Sequence, residues 1–125
     1  MLFGNIHYGT KVDIWSLGCI LAEMLLGTPI FPGQDVADQL LCIVSIVGSP
    51  TESDAVALAP HLTHPERLVS TNPIMPVKFE EMLVGTKSSL RKPLADLLSK
   101  MLVLNPEKRW SSSQLLRHMI FSGEE

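Results

Sequence analysis

Few residues of this chain have the types and spacings that could do chemistry. His61 and His64 stand at a ligand-like spacing, but no second ligand pair accompanies them, and a structural zinc site needs four ligands. Cys19 and Cys42 lie inside apolar stretches, which predicts small buried hydrophobic residues. Neither pair therefore predicts a metal site or a disulfide.

Two charged residues are better placed. Asp13 stands where an apolar helical stretch begins, and a carboxylate there accepts hydrogen bonds from free backbone amides. From the residues alone, Asp13 is a helix cap or a first-turn residue, and Arg109, beside Lys108, is an exposed side chain of little consequence.

Helices must position these residues, because apolar residues recur at helical spacing through most of the chain. Residues 12–27 are apolar on nearly every side, which is typical of a buried helix, and Gly27 and Pro29 end it. We predict a mainly α fold of about five helices and no convincing sheet. The expected elements are a helix at 13–26, a second at 35–47, a short third to about residue 59, one turn near 78–83 within an irregular stretch at 60–87, a helix from about residue 91 or 92 with Pro93 in its first turn, and a last helix capped by Ser111 or Ser112.

The composition excludes several classes of function. The chain has 125 residues, 46% of them hydrophobic, and a net charge of −3, whereas a nucleic-acid partner usually requires a basic surface. The longest apolar segment, residues 14–26, contains Ser16 and Glu23 and falls short of the roughly 20 residues that span a membrane. We therefore expect a soluble intracellular protein that binds neither nucleic acid nor membrane.

Three motifs carry a resemblance to a known family. The stretch "VDIWSLGCILAEMLLGTPIFPG" resembles the segment just after the activation loop of eukaryotic Ser/Thr protein kinases. "DQLLCIVSIVGSP" is similar to the next helix in the branch of MAP kinases and cyclin-dependent kinases, and "LLSKMLVLNPEKRWSSSQLLRHMIF" to the last two helices of the kinase core. The long stretch at about 53–89 resembles a MAP-kinase-type insertion.

The resemblance implies that residues 1–125 are an incomplete kinase domain, namely the large-lobe helices after the activation segment. Asp13, Trp15 and Gly18 match the motif that opens the central helix of that lobe, where the aspartate accepts hydrogen bonds from the catalytic loop. Arg109 matches the arginine that pairs with the glutamate of an Ala-Pro-Glu motif. Both partners would lie upstream of Met1, so we expect Asp13 to face no partner and the helix to expose part of its surface. The segment after Pro29 resembles a docking surface of this kinase branch.

The motifs that perform phosphoryl transfer are absent from the sequence: there is no G-x-G, V-A-I-K, H-R-D or D-F-G. We therefore predict no catalytic, cofactor-binding or metal-binding residue in the chain, low stability, and no kinase activity of the chain alone. In full-length form the family would use ATP and Mg²⁺ to phosphorylate protein Ser/Thr, in the cytoplasm and also in the nucleus. Two alternatives stay open: a docking or decoy module that binds protein partners, and a non-functional truncated product.

Overall fold

The computed structural model describes residues 10–58 and 73–122, and these form seven helices with no strand between them. The predicted mainly α fold is confirmed. Some predicted features lie outside the described residues: residues 1–9, the pair His61 and His64, and much of the insertion predicted at 53–89. The helices are α1 (Thr10–Leu26), α2 (Val36–Val47), α3 (Glu52–Leu58), α4 (Phe79–Met82), α5 (Ser88–Met101), α6 (Ser112–Leu116) and α7 (Met119–Ser122).

The C-terminal end of α1 and both ends of α2 follow the predicted signals, whereas α1 begins at Thr10, three residues before the predicted start. Gly27 has a φ of 79° and donates its N–H to the carbonyl of Glu23, at 2.8 Å, which closes α1. Asp35 caps α2, because its Oδ1 accepts the N–H of Asp38 at 2.8 Å. Gly48 ends α2 with a φ of 91°. Asp13 lies in the first turn of α1, one of the two positions predicted for it.

The last predicted helix is divided in two, which together with α4 raises the number of helices above five. Ser111 caps α6 in a capping box with Gln114. Arg117 then donates its N–H to the carbonyl of Gln114, at 3.1 Å, and this shorter turn ends α6. The Nδ1 of His118 accepts the N–H of Ile120 at 3.2 Å, so a side chain supports the start of α7.

The start of α5 was predicted wrongly. The helix begins at Ser88, and Pro93 is its sixth residue rather than part of the first turn. Arg91 ties this first turn to the segment that precedes α5: Nε donates to the carbonyl of Leu83 at 3.1 Å, and Nη2 donates to those of Val84 and Thr86 at 3.0 and 3.2 Å. Water can satisfy the carbonyl that the missing N–H of Pro93 leaves unpaired, because it belongs to an exposed serine.

The core forms where α1 packs on α5. Three residues spaced four apart, Ile14, Gly18 and Ala22, are the buried face of α1, because that spacing places them on one side of the helix. The buried residues of α5 and its C-terminal end are Ala95, Leu97, Leu98, Met101 and Leu102. A glycine at position 18 allows close contact, since a Cβ there would lie 2.9 Å from Cδ2 of Leu102.

The opposite face of α1 is bare. Leu17, Ile20 and Met24 are 53%, 55% and 77% exposed, and they continue the stripe that begins with the exposed Asp13. The apolarity of the helix alone predicted burial on every side, and that prediction is wrong. The partial exposure instead agrees with the expectation drawn from the kinase resemblance.

Candidate functional site

Arg109 is the most buried of the Lys, Arg, Asp and Glu residues that the structure describes. It defines the candidate site, which we call the Arg109 site. Arg109 is only 5% exposed. Its Nε donates to the carbonyl of Val103 at 2.9 Å, Nη1 to that of Lys11 at 2.6 Å, and Nη2 to that of Leu104 at 3.3 Å. Arg109 is therefore not the exposed side chain that its neighbour Lys108 indicated.

An aromatic stack supports this guanidinium from α1. The Cζ of Arg109 lies 5.1 Å from the centre of the Trp15 ring, a distance at which the ring face attracts a cation. Trp15 also stacks on Phe31, whose ring lies parallel to that of Trp15 at a centroid distance of 5.5 Å. Phe31 belongs to the loop after Pro29, so that loop, α1 and the 103–109 segment meet around Trp15.

Lys11 joins the same site from the first turn of α1. Its Nζ donates to the carbonyl of Pro106 at 3.0 Å and to the carbonyl of Arg109. Because Arg109 in turn donates to the carbonyl of Lys11, the two residues are joined reciprocally across 98 positions of sequence. The sequence did not predict a role for Lys11, because a single lysine next to a loop-like N-terminal stretch matches no motif.

The site holds positive charge without a matching carboxylate. No Asp or Glu among residues 10–58 and 73–122 forms an ion pair with Arg109. Burial lowers the pKa of Arg109 to about 10, although the neighbouring Cys19 opposes this. Burial also raises the pKa of the Cys19 thiol to about 11, so the thiol stays protonated at neutral pH and is a poor nucleophile. Cys19 and Cys42 are both free and pack against the core, but they are half-buried rather than buried as predicted.

The other predicted site residues are not all brought together. Trp15 contacts Arg109, and Gly18 lies one turn further along α1 at its contact with α5. Asp13 is exposed, and its carboxylate forms no hydrogen bond with another described residue. The structure therefore joins Trp15 to Arg109 and leaves Asp13 facing solvent.

A second polar cluster lies near the start of α3 and was not predicted. Asp54 accepts hydrogen bonds from Asn105 Nδ2 at 3.1 Å, from Lys108 Nζ at 3.0 Å and from the N–H of Thr51 at 3.0 Å. Burial alone would raise the pKa of Asp54, but these hydrogen bonds outweigh it and lower the pKa below its ordinary value of 3.8. The cluster fixes α3 to the segment after α5.

The lowered pKa predicts acid-sensitive stabilisation. We expect Asp54→Asn to lower the free energy of unfolding by about 1 kcal/mol at pH 7, because charge-assisted hydrogen bonds are lost. A carboxylate with a lowered pKa stabilises the fold at pH values above its ordinary pKa. That contribution is lost as the pH falls through the lowered pKa. Urea unfolding at pH 7 and at acidic pH measures the difference.

Glu52→Gln is the matched control, because Glu52 is an exposed acid of the same helix. It should change the stability little at either pH. A deficit of Asp54→Asn that stays constant from neutral to strongly acidic pH would contradict the assigned role.

A cavity of about 540 Å³ lies beside this cluster. The end of α2, one face of α5 and the residues 76–80 line it, together with Asp54, Asn105 and Lys108. Two of its carboxylates are engaged: Asp54 with Lys108, and Asp96 with His118 at 2.7 Å. Within the described ranges, no group of three His, Cys, Asp or Glu residues could hold a metal ion.

Comparison with known proteins agrees with the kinase resemblance of the sequence. The family described as "Protein kinase domain" matches residues 1–121. A probable serine/threonine-protein kinase of Dictyostelium discoideum, glkA, is 43% identical over 118 residues, which are 94% of this chain and 24% of that protein. The mitogen-activated protein kinase KSS1 of Saccharomyces cerevisiae is 40% identical over 112 residues, 90% of this chain and 30% of that protein.

The chain belongs to the eukaryotic Ser/Thr protein kinase family. It is MAP-kinase-like, since its relatives also include mitogen-activated protein kinase 14 of Xenopus laevis, 37% identical over 118 residues, 94% of this chain and 31% of that protein. The chain spans about a quarter to a third of the length of these relatives. In the part of the chain that the structure describes, no helix is long and apolar enough to cross a membrane.

Proposed function

We propose that this chain is the helical scaffold of a larger Ser/Thr kinase domain. In the longer protein, that domain would transfer the γ-phosphate of ATP to Ser or Thr of protein substrates inside the cell. The observation that carries the proposal is the buried guanidinium of Arg109, which lies on Trp15 and has no carboxylate partner in the described chain. The cost of a buried cation is offset best by a bidentate carboxylate, and the kinase resemblance supplies one in the Ala-Pro-Glu motif.

The bare face of α1 supports the same proposal. Asp13, Leu17, Ile20 and Met24 form one stripe along the helix, with a carboxylate at its start and apolar side chains beyond it. A catalytic loop that donates backbone N–H groups to Asp13 would lie at one end of this stripe. The segments next to it would then cover the three apolar residues.

ATP and Mg²⁺ do not fit the residues that are described. Kinases hold the phosphates with a glycine-rich loop and a lysine, and hold Mg²⁺ with an aspartate and an asparagine from two further motifs. The sequence contains none of these motifs, and the described ranges offer no cluster of metal ligands. We therefore assign nucleotide and metal binding to segments outside these 125 residues and derive no step of phosphoryl transfer from this chain.

A docking module is the second candidate, and the loop after Pro29 favours it. Ile30 and Phe31 are buried and fix the loop to the core, while Thr28, Pro29 and Pro32 are exposed. A rigid exposed loop of this kind can bind a protein partner without catalysis. The chain would then compete with the full kinase for its docking partners.

Calorimetry separates catalysis by the chain from catalysis by a longer protein. We expect titration of MgATP into the purified 125-residue chain to give no heat of binding. Incubation with radiolabelled ATP and a generic protein substrate should transfer no phosphate. Measurable binding or transfer by the chain alone would overturn the proposed division of roles.

A further inference from the structure

We propose that Lys11 is a positioning residue of the Arg109 site, which holds the 103–110 segment against α1 so that the guanidinium lies on Trp15. This inference rests on the proposed function for its purpose, because it keeps Arg109 ready for the carboxylate. The contacts that carry it belong to the chain alone. Its test therefore does not depend on kinase activity.

The first observation is the direction of the hydrogen bonds. The ammonium of Lys11 donates to the carbonyls of Pro106 and Arg109, so it binds the backbone on both sides of Lys108. The guanidinium of Arg109 donates back to the carbonyl of Lys11 at 2.6 Å. Each cation thus satisfies a carbonyl of the other residue, and neither contact forms without the other segment in place.

The second observation concerns the hydrogen bonds that join this segment to α1. Residues 102–111 lie between α5 and α6 and form no helix. Lys11 Nζ donates to the carbonyls of Pro106 and Arg109, and the N–H of Trp110 donates to the carbonyl of Lys100 at 3.1 Å. The side chains of Asn105 and Lys108 bind Asp54, which belongs to α3 and not to α1. Among the described residues, Lys11 and Arg109 make the side-chain hydrogen bonds that join this segment to α1.

A lysine suits this position because an ammonium carries three donors on a flexible stem and can reach two carbonyls at once. Methionine has a similar length without the charge and the donors. Arginine restores both. The pair Lys11→Met and Lys11→Arg therefore separates the bonds from the packing of the stem.

Site-resolved proteolysis tests the proposal. Trypsin cleaves after lysine and arginine, so cleavage after Lys108 and Arg109 reports opening of the 103–110 segment, whereas cleavage after Lys87 reports the start of α5. We expect Lys11→Met to accelerate cleavage after Arg109 by about tenfold or more, which is the smallest factor expected for one charge-assisted hydrogen bond. Cleavage after Lys87 should change much less, and Lys11→Arg should restore the slow rate.

Lys92→Met is the matched control, because Lys92 is an exposed lysine of α5 outside the 103–110 segment. It should not accelerate cleavage after Arg109 selectively. Equal acceleration at every site in Lys11→Met, or rates equal to those of the unchanged chain, would overturn the positioning role. Neither result would bear on whether a longer protein is a kinase.

Discussion

Arg109→Ala is expected to lower the free energy of unfolding by about 3 kcal/mol, since it leaves one buried and two partly buried carbonyls without their donor, and a fully buried one costs about 1–3 kcal/mol. The carbonyls of Val103, Lys11 and Leu104 all lose their donor. The contact with the Trp15 ring is lost as well. Urea unfolding followed by tryptophan fluorescence measures the change.

Two controls locate the effect in the geometry of the guanidinium. Arg109→Lys keeps the charge but cannot make three divergent hydrogen bonds from a planar group, so it should recover only part of the loss. Lys108→Ala removes a neighbouring cation whose side chain is mostly exposed, and should cost much less. Equal stability of Arg109→Ala and the unchanged chain would show that the guanidinium does not hold this site together.

Gly18→Val is expected to destabilise the chain by about 1–3 kcal/mol, the range typical of an overpacked core. Even a Cβ at Gly18 would lie 2.9 Å from Cδ2 of Leu102 and 3.1 Å from Cβ of Met101. Both neighbours are buried, at 3% exposure each, and so have little room to move. Thermal unfolding of the variant should show a lower midpoint, because α1 must separate from α5.

Ser16→Val is the matched control for Gly18→Val. Ser16 is exposed on the same helix, so the substitution carries the cost of a β-branched residue in a helix without the steric contact. A loss of stability in Gly18→Val no larger than that in Ser16→Val would mean that the two helices do not approach closely at position 18.

Local signals in the sequence predicted much of the fold. Apolar spacing located the main helices, and Asp35, Gly27 and Gly48 marked helix ends that the structure confirms. Such signals act within one turn, so they can be read from neighbouring residues. The start of α5 was missed because the usual rule places a proline in the first turn, whereas this helix already includes the five residues before Pro93.

The candidate site was predictable only in part, because its contacts join distant positions. The kinase resemblance identified Trp15 and Arg109, but the hydrogen bonds of Lys11 link residues almost a hundred positions apart. The Asp54 cluster likewise depends on how α3 packs beside Asn105 and Lys108. Neither feature has a spacing rule in the sequence, since each arises from tertiary packing.

The nucleotide sequence immediately 5′ of the codon for Met1, followed by an assay of whatever longer product it encodes, tests the central claim most directly. The claim predicts an open frame that continues upstream through Ala-Pro-Glu, D-F-G and H-R-D codons. It also predicts a longer product that transfers phosphate from ATP to protein Ser or Thr, unlike the 125-residue chain. A stop codon just upstream, together with a folded 125-residue chain that captures docking partners, would contradict it.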